Sequence, residues 1–236
     1  AEYNPFECIA TNVLGAENVI NACINKNVSR IVALSTDKAS SPINLYGASK
    51  LCSDKLFVAG NSYATHSPAK FAVVRYGNVV GSRGSVVPFF KSLVGRGELP
   101  ITDERMTRFW ITLPQAVNFV IDALETMQGG EIFVPRIPST RVTDLATAID
   151  PSARQTIIGI RPGEKLHEEM ISEHDAFRTF ALKDRYVIAP VVDASQRDFT
   201  YPGGVLVEPG FSYQSDTNDW MLSVEEIRDL LGSVDD

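Results

Sequence analysis

Tyr46 and Lys50 stand four residues apart in a stretch, Leu45 to Tyr63, whose apolar spacing predicts a helix. That spacing puts both side chains on one helical face, about one turn or ~6 Å apart. A free phenol ionises near ~10 and is no base at neutral pH. An ammonium one turn away, the helix N-terminus and a bound cation all favour the phenolate. Reaching that form near neutrality asks for roughly 3–4 kcal/mol of local electrostatics. The lysine can also donate to a ribose diol. Taken alone, the pair reads equally well as two surface residues on a helix. The residues just upstream change that balance. Leu34, Ser35, Thr36, Asp37 and Lys38 close a short apolar run, Ser29 to Ser35, that reads as a strand. Their hydroxyls and charges therefore reach the carboxyl end of a strand just before the helix of Tyr46, where open α/β sheets bind ligands. Ser35 or Thr36 can bond a substrate hydroxyl. Asp37 and Lys38 add an acid and a base that a simple oxidation does not use; without Tyr46 they would read as solvated loop charges.

Apolar residues at helical spacing also run from Asn4 to Asn25 (Phe6, Ile9, Val13, Leu14, Val19, Ile20, Ile24). Ser29 to Ser35 suits a strand buried on both faces, and Lys70 to Tyr76 reads the same way. Val86 to Val94, Leu113 to Met127, Val142 to Ile149 and Val224 to Leu231 read as further helices. Glu131 to Val134, Gln155 to Ile160 and Arg185 to Ala189 read as short strands. Strand and helix alternate through the first half, which predicts parallel crossover units in a doubly wound, Rossmann-like α/β sheet. After about Val86 the elements shorten and prolines multiply (Pro88, Pro100, Pro135, Pro138, Pro151, Pro162). The expected organisation is the C-terminal part of a dinucleotide-binding domain over residues 1–85. A smaller α/β substrate lobe follows over 86–236, with some segments returning to the sheet. A dinucleotide fold opens with strand, glycine-rich turn and helix, whereas this sequence opens inside a helix. Its one glycine cluster after a strand, Gly77 to Gly84, has the wrong spacing for the fingerprint. The expectation is a Rossmann-like fold whose N-terminal strands and glycine-rich loop are missing from these residues.

The 236 residues are 44% hydrophobic and 22% charged, ordinary for one sizeable core with or without a smaller lobe. A formal charge of -7 argues against nucleic acid as a partner. Cys8, Cys23 and Cys52 show no Cys-x-x-Cys spacing and read as reduced thiols of a cytoplasmic protein. His66, His167 and His174 lack ligand spacing, so no metal is expected. Neither a leader nor an apolar run near ~18 residues is present, so membrane insertion is not expected. Trp110 and Trp220 read as packing residues.

The block from Ser35 to Lys50 (Ser-Thr-Asp-Lys-Ala-Ser-Ser-Pro-Ile-Asn-Leu-Tyr-Gly-Ala-Ser-Lys) resembles the signature of the inverting UDP-N-acetylglucosamine 4,6-dehydratases. These are extended short-chain dehydrogenases/reductases that open the pseudaminic acid pathway used to glycosylate bacterial flagellin. The likeness continues through Val73 to Phe90, Pro100 to Asp103, Arg105 to Thr112 and Gly159 to Glu168. Lys38 departs from the glutamate of the retaining glucose dehydratases, and Tyr46 from the methionine of the large membrane-anchored ones. The resemblance implies a lyase that binds NADP and UDP-N-acetylglucosamine and assembles as a homo-oligomer. It implies catalytic roles for Thr36, Asp37, Lys38 and Tyr46. Cofactor contacts fall on Tyr46, Lys50, Val79, Val80, Gly81, Ser82 and Arg83. Substrate contacts fall on Leu34, Ser35, Asn78, Val86, Thr102, Arg108, Arg161 and Glu164, with Arg161 on the diphosphate and Glu164 on the ribose hydroxyls. For Lys38 to act as a base, burial near Lys50 or the cofactor's charge is required. Arg105 and Arg108 are further phosphate candidates or structural ion-pair partners, and Asn12 is expected to brace the strand Ser29 to Ser35.

Two other readings compete. A 4-epimerase or oxidoreductase of the same fold would leave the 6-hydroxyl in place. A non-catalytic nucleotide-binding module would have no reason to keep Asp37, Lys38, Tyr46 and Lys50 together.

Overall fold

The first helical stretch is continuous but not uniform. The computed structural model describes residues 1–190 and 200–235. In it α1 (Pro5–Ile9) passes through a π-helical turn (Ala10–Leu14) into α2 (Gly15–Asn25). Such turns concentrate at functional sites, and this one carries Asn12. The chain continues as β1 (Arg30–Thr36), α3 (Leu45–Tyr63), β2 (Lys70–Tyr76), β3 (Asn78–Val79), α4 (Val86–Lys91), β4 (Glu98–Ile101) and β5 (Thr107–Ile111). It then forms α5 (Leu113–Thr126), β6 (Ile132–Pro135), β7 (Ser139–Arg141), α6 (Val142–Ile149), β8 (Arg154–Ile157) and β9 (Glu169–Ile171). The last elements are β10 (Thr179–Ala181), β11 (Arg185–Ile188), β12 (Val205–Leu206) and α7 (Val224–Asp235).

Two compact units divide these elements. The first is Ala1–Tyr76, Val117–Arg136 and Glu169–Tyr213; the second is Gly77–Ala116, Ile137–Glu168 and Gln214–Asp236. The division falls at Gly77 rather than after residue 85, because the Asn78–Val79 strand pairs with β5 instead of extending β2. Segments 117–136 and 169–213 return to the first unit.

The first unit is built on a six-stranded sheet in the order β1-β2-β6-β11-β10-β12. β1, β2 and β6 are parallel, joined by helical crossovers, and the later strands add antiparallel. β2 is buried from Phe71 to Arg75, as its apolar run predicts. β1 is not buried on both faces: it is the outermost strand of this sheet, and Leu34 is 50% exposed. One face is filled by Ala72, Val74, Phe119, Ala123, Phe133 and Val187. α3 lies against β2 through the Phe57–Phe71 ring pair and through Gly60, where a side chain would press on the Phe71 ring at 3.0 Å. A buried ion pair, Arg75 Nη2 to Asp54 Oδ2 at 3.1 Å, joins the same two elements.

The second unit has β5 between β3 (parallel) and β7 (antiparallel), with a separate parallel pair β4–β8. Its core is Val80, Val87, Phe90, Leu99, Ile101, Trp110, Leu145 and Ile227. α4 stops three residues short of the expected Val94, ahead of Gly95 and Gly97, both at left-handed φ of 79°. Trp110 is buried as expected, but Trp220 is 52% exposed and is no core residue.

Candidate active site

The contacts nearest Tyr46 act on the first turn of α3. Asn44 caps it, its Oδ1 accepting from Gly47 N at 2.7 Å. Ser49 Oγ donates to the Tyr46 carbonyl at 2.8 Å, and Asn12 Nδ2 donates to Ser49 Oγ at 2.9 Å. Asn12 thus braces the helix of Tyr46 and not the strand Ser29–Ser35, because the π turn aims it at α3. Cys8 Sγ lies 3.3 Å from the same Ser49 oxygen. All three cysteines are free thiols.

Gly47 sets the distance between the helix and the Asp37–Lys38 turn. A Cβ there would stand 2.3 Å from the Lys38 carbonyl oxygen and 3.0 Å from Pro42 Cβ. The nearest obstacle is backbone and cannot swing aside, so any side chain drives Lys38 and Tyr46 apart. We expect Gly47→Ala to cost about 1–3 kcal/mol through overpacking and to remove most activity. Gly232→Ala, on α7 with nothing within 4 Å, is the control and should leave both unchanged. Thermal melts and turnover of the two variants check this.

The turn itself is tight. Thr36 is its N-cap, and Thr36 Oγ1 donates to Asp37 Oδ1 at 2.8 Å. Lys38 Nζ meets the same Oδ1 at 3.0 Å. Asp37 is fully buried, and its Oδ2 has no hydrogen-bond partner among the described residues. Ser35 Oγ, 7% exposed, is likewise unpartnered. Two buried polar atoms without partners at a strand's carboxyl end suit a site that completes itself with a polar ligand. The charged group in contact with Lys38 is a carboxylate, not Lys50. Lys50 Nζ instead donates to the Leu34 carbonyl at 2.8 Å.

Taken together, the protein's own groups do not lower the Tyr46 phenol, so the bound cation invoked beside them would have to do so. The phenol is pushed above the ordinary range, not below it, because burial outweighs the favourable field of Lys38, while Asp37 and Cys8 push it up as well. Tyr76 is raised by burial and by Tyr46, and Tyr201 by burial and Glu131. For all three the folded value exceeds the unfolded value near ~10. Their contribution to stability is complete below that pH and is lost as pH rises through the folded values. Urea midpoints should therefore fall from pH 9.5 to 11.5 (roughly this window); a flat profile would contradict it.

In the second unit, Asn78 and Val79 are half-buried and register with Trp110 and Ile111. Gly77 allows this close approach, since a Cβ there would lie 2.5 Å from Phe109 Cβ. Gly81, Ser82, Arg83 and Gly84 form an exposed loop, with Gly81 at φ 73° and Gly84 at φ 75°. Val80 differs: its side chain is in the core and its N–H donates to the Ile111 carbonyl at 2.9 Å, so neither is presented to a ligand. Val86 is half-buried against the same core, and Thr102 is half-buried just past β4. Arg161 and Glu164 pair across one turn at 3.8 Å, with the Arg161 side chain 69% exposed.

Arg108 has its donors engaged within the protein, in keeping with the structural one of its two readings. Nη1 donates to the Thr107 and Leu166 carbonyls, Nη2 to the Lys165 carbonyl and Met106 Sδ, and Nε faces Glu168 at 3.7 Å. A guanidinium has five N–H donors, and here they hold the Lys165–Leu166 segment. Arg105 is an ion-pair partner: its fork grips Asp103 at 2.9 and 2.8 Å and pulls that carboxyl down to about 2. A cavity of about 530 Å³ in this unit is lined by Arg105, Thr107, Arg141, His167 and Asp216 among others, and by none of the expected substrate residues.

A profile of the family described as polysaccharide biosynthesis protein matches residues 1–190. The chain belongs to that family. Over its whole length it is 53% identical to a UDP-N-acetylglucosamine 4,6-dehydratase (inverting) of Campylobacter jejuni, of which it covers 73%. Over 99% of its length it is 38% identical to a UDP-glucose 4-epimerase of Rickettsia massiliae, of which it covers 70%. Among solved structures, Pen from Bacillus thuringiensis aligns with a TM-score of 0.88 at 35% identity, covering 98% of this chain and 71% of that one. The parallel, Rossmann-like core is shared by Pen and, at a TM-score of 0.59 and 22% identity over 69% of this chain and 60% of that one, by the NAD-dependent NDP-hexosamine 5,6-dehydratase TunA, a fold the sequence led us to expect. Among the described residues no helix is long and apolar enough to cross a membrane.

Proposed function

We propose that this family member is an inverting UDP-N-acetylglucosamine 4,6-dehydratase acting in the cytoplasm as a homo-oligomer, in the route to pseudaminic acid on flagellin. The observation that carries the reading is the contact of Lys38 with buried Asp37, set close enough to Tyr46 for both charges to act on its phenol. An oxidation alone has no use for that pair.

The residues present fit a nicotinamide dinucleotide, NADP in this reading. Tyr46 and Lys50 would hold its ribose, with Ser35 Oγ unpartnered nearby in sequence; Val79, Gly81, Ser82 and Arg83 would line its nicotinamide and phosphates. When bound it supplies a hydride acceptor for sugar C4 and a donor for C6. Tyr46 takes the 4-hydroxyl proton as C4 becomes a ketone, which acidifies C5. One proton passing from Lys38 Nζ to Asp37 along their 3.0 Å contact turns the ion pair into an amine and a carboxylic acid. The amine removes the C5 proton, the carboxyl protonates the departing 6-hydroxyl, and water leaves with the ion pair restored. Tyr46 then returns its proton to C5 from the opposite face, inverting that centre and regenerating the phenolate. Leu34, Asn78, Val86 and Thr102 would meet the sugar and uridine, Arg161 the diphosphate and Glu164 the ribose diol.

Incubation of the holoenzyme with UDP-N-acetylglucosamine in deuterium oxide tests the reading. A 6-deoxy-4-keto product with inverted, deuterated C5 is expected. A product that keeps its 6-hydroxyl would favour the epimerase reading, which the 38% identity to the Rickettsia massiliae enzyme supports.

A further inference from the structure

The Asp37–Lys38 turn is held in place by a carboxylate far away in sequence. Glu169, the first residue of β9, accepts on one oxygen, Oε2, from Ser40 Oγ at 3.0 Å and from Ser41 Oγ. Ser40 is 4% exposed, and its N–H closes the turn on the Asp37 carbonyl at 3.1 Å. Ser41 sits at a left-handed φ of 41°, a conformation that a non-glycine residue keeps only when its surroundings hold it there. The anchor is rigid. Met170 and Ile171 are fully buried, and the Met170 carbonyl accepts from Arg75 Nη1 at 2.8 Å. Tyr46 is secured separately, through Asn44, Ser49 and Asn12.

We propose that Glu169 is a positioning residue for elimination: by clamping Ser40 and Ser41 it holds Asp37 and Lys38 at the sugar's C5–C6 bond, while leaving oxidation at C4 to Tyr46. The assignment rests on the dehydratase reading above. Two carboxylate–hydroxyl bonds on one oxygen fix the backbone two and three residues after Lys38. Without them the turn gains freedom that its own hydrogen bonds do not remove. Misplacement by about 1 Å is enough to cost on the order of 10²-fold in rate.

The test compares Glu169→Ala and Glu169→Gln with the parent holoenzyme. Glu169→Ala should lower kcat for the 6-deoxy product by roughly 10–100-fold with KM nearly unchanged. Deuterium uptake at C5 should fall in parallel, while the single-turnover rise in reduced-nicotinamide absorbance, which reports C4 oxidation, should fall far less. Glu169→Gln, which keeps an uncharged acceptor, should recover part of the loss. Amide exchange at residues 38–41 should quicken in the alanine variant. The proposal fails if those amides loosen and turnover does not change, or if C4 oxidation falls as far as elimination. A parent that never deuterates C5 would sink the dehydratase reading instead, and exchange at residues 38–41 would still report the clamp. Should Glu169→Ala not fold, Ser41→Ala removes one of the two donors and carries the same comparison.

Discussion

Replacing Lys38 by alanine is expected to abolish deuterium uptake at C5 and to cut formation of the 6-deoxy product by roughly 10²–10⁴-fold, the range for loss of a general base. The expectation follows from geometry. Lys38 is the cation in contact with Asp37, and removing it leaves a fully buried carboxylate with Thr36 Oγ1 still donating to it. A second effect has a defined sign. Lys38 is what lowers the Tyr46 phenol against burial, Asp37 and Cys8. In the alanine variant the phenol therefore rises further, and the base form of Tyr46 is reached only at higher pH. The ascending limb of the pH–rate profile for C4 oxidation should move upward, measured by single-turnover nicotinamide absorbance. Full C5 exchange in Lys38→Ala would sink the assignment of the base. An unmoved limb would mean that Lys38 and Tyr46 do not share a field.

The pieces of this site that were legible in the sequence are the ones defined by short spacing. α3 and β2 occupy the expected residues because Asn44 caps one and an unbroken apolar run makes the other. Asp37, Lys38 and Tyr46 come together because strand, turn and helix follow one another without a long loop. What could not be read depends on partners far along the chain. β4 contains Pro100 and pairs with β8 some fifty residues on, so no local alternation marks it. Gly47 looks like any glycine in a helix until the Lys38 carbonyl is placed 2.3 Å from its missing Cβ. Glu169 gives no local sign of Ser40 and Ser41, 129 and 128 positions earlier. What Lys50 contributes at Tyr46 is hidden for a related reason. Spacing along α3 shows that Lys50 shares a face with the phenol, but not that its ammonium is spent on the Leu34 carbonyl. The two readings of Arg108 are equally open in sequence for the same reason: a phosphate-binding fork and a backbone clamp look the same until the carbonyls of residues 165 and 166 are found on it.

The same distinction between local spacing and distant contact decides how the site's platform should fail. Asp54→Ala is expected to cost about 3–5 kcal/mol, as for a buried ion pair that loses one partner, against a typical total of about 5–15 kcal/mol. Arg75 and Asp54 side chains are 3% and 2% exposed, and Arg75 Nε already lacks a partner. Without Asp54 the guanidinium keeps the Met170 carbonyl, at 2.8 Å, and the weaker field of Asp175. The damage should not stop at β2. Arg75 ties α3, which carries Tyr46, to β9, which carries Glu169, so loosening it weakens both supports of the catalytic turn. Trp110 and Trp220 both lie in the second unit, and their fluorescence does not report this event. Amide exchange along β2 does, and its protection should fall by the full cost. Asp54→Leu combined with Arg75→Met removes both charges and should recover much of the loss. Recovery will be incomplete, because the Met170 carbonyl is then left without that donor. A single Asp54→Ala variant whose β2 amides exchange at the parent rate would show that the ion pair does not hold the platform together.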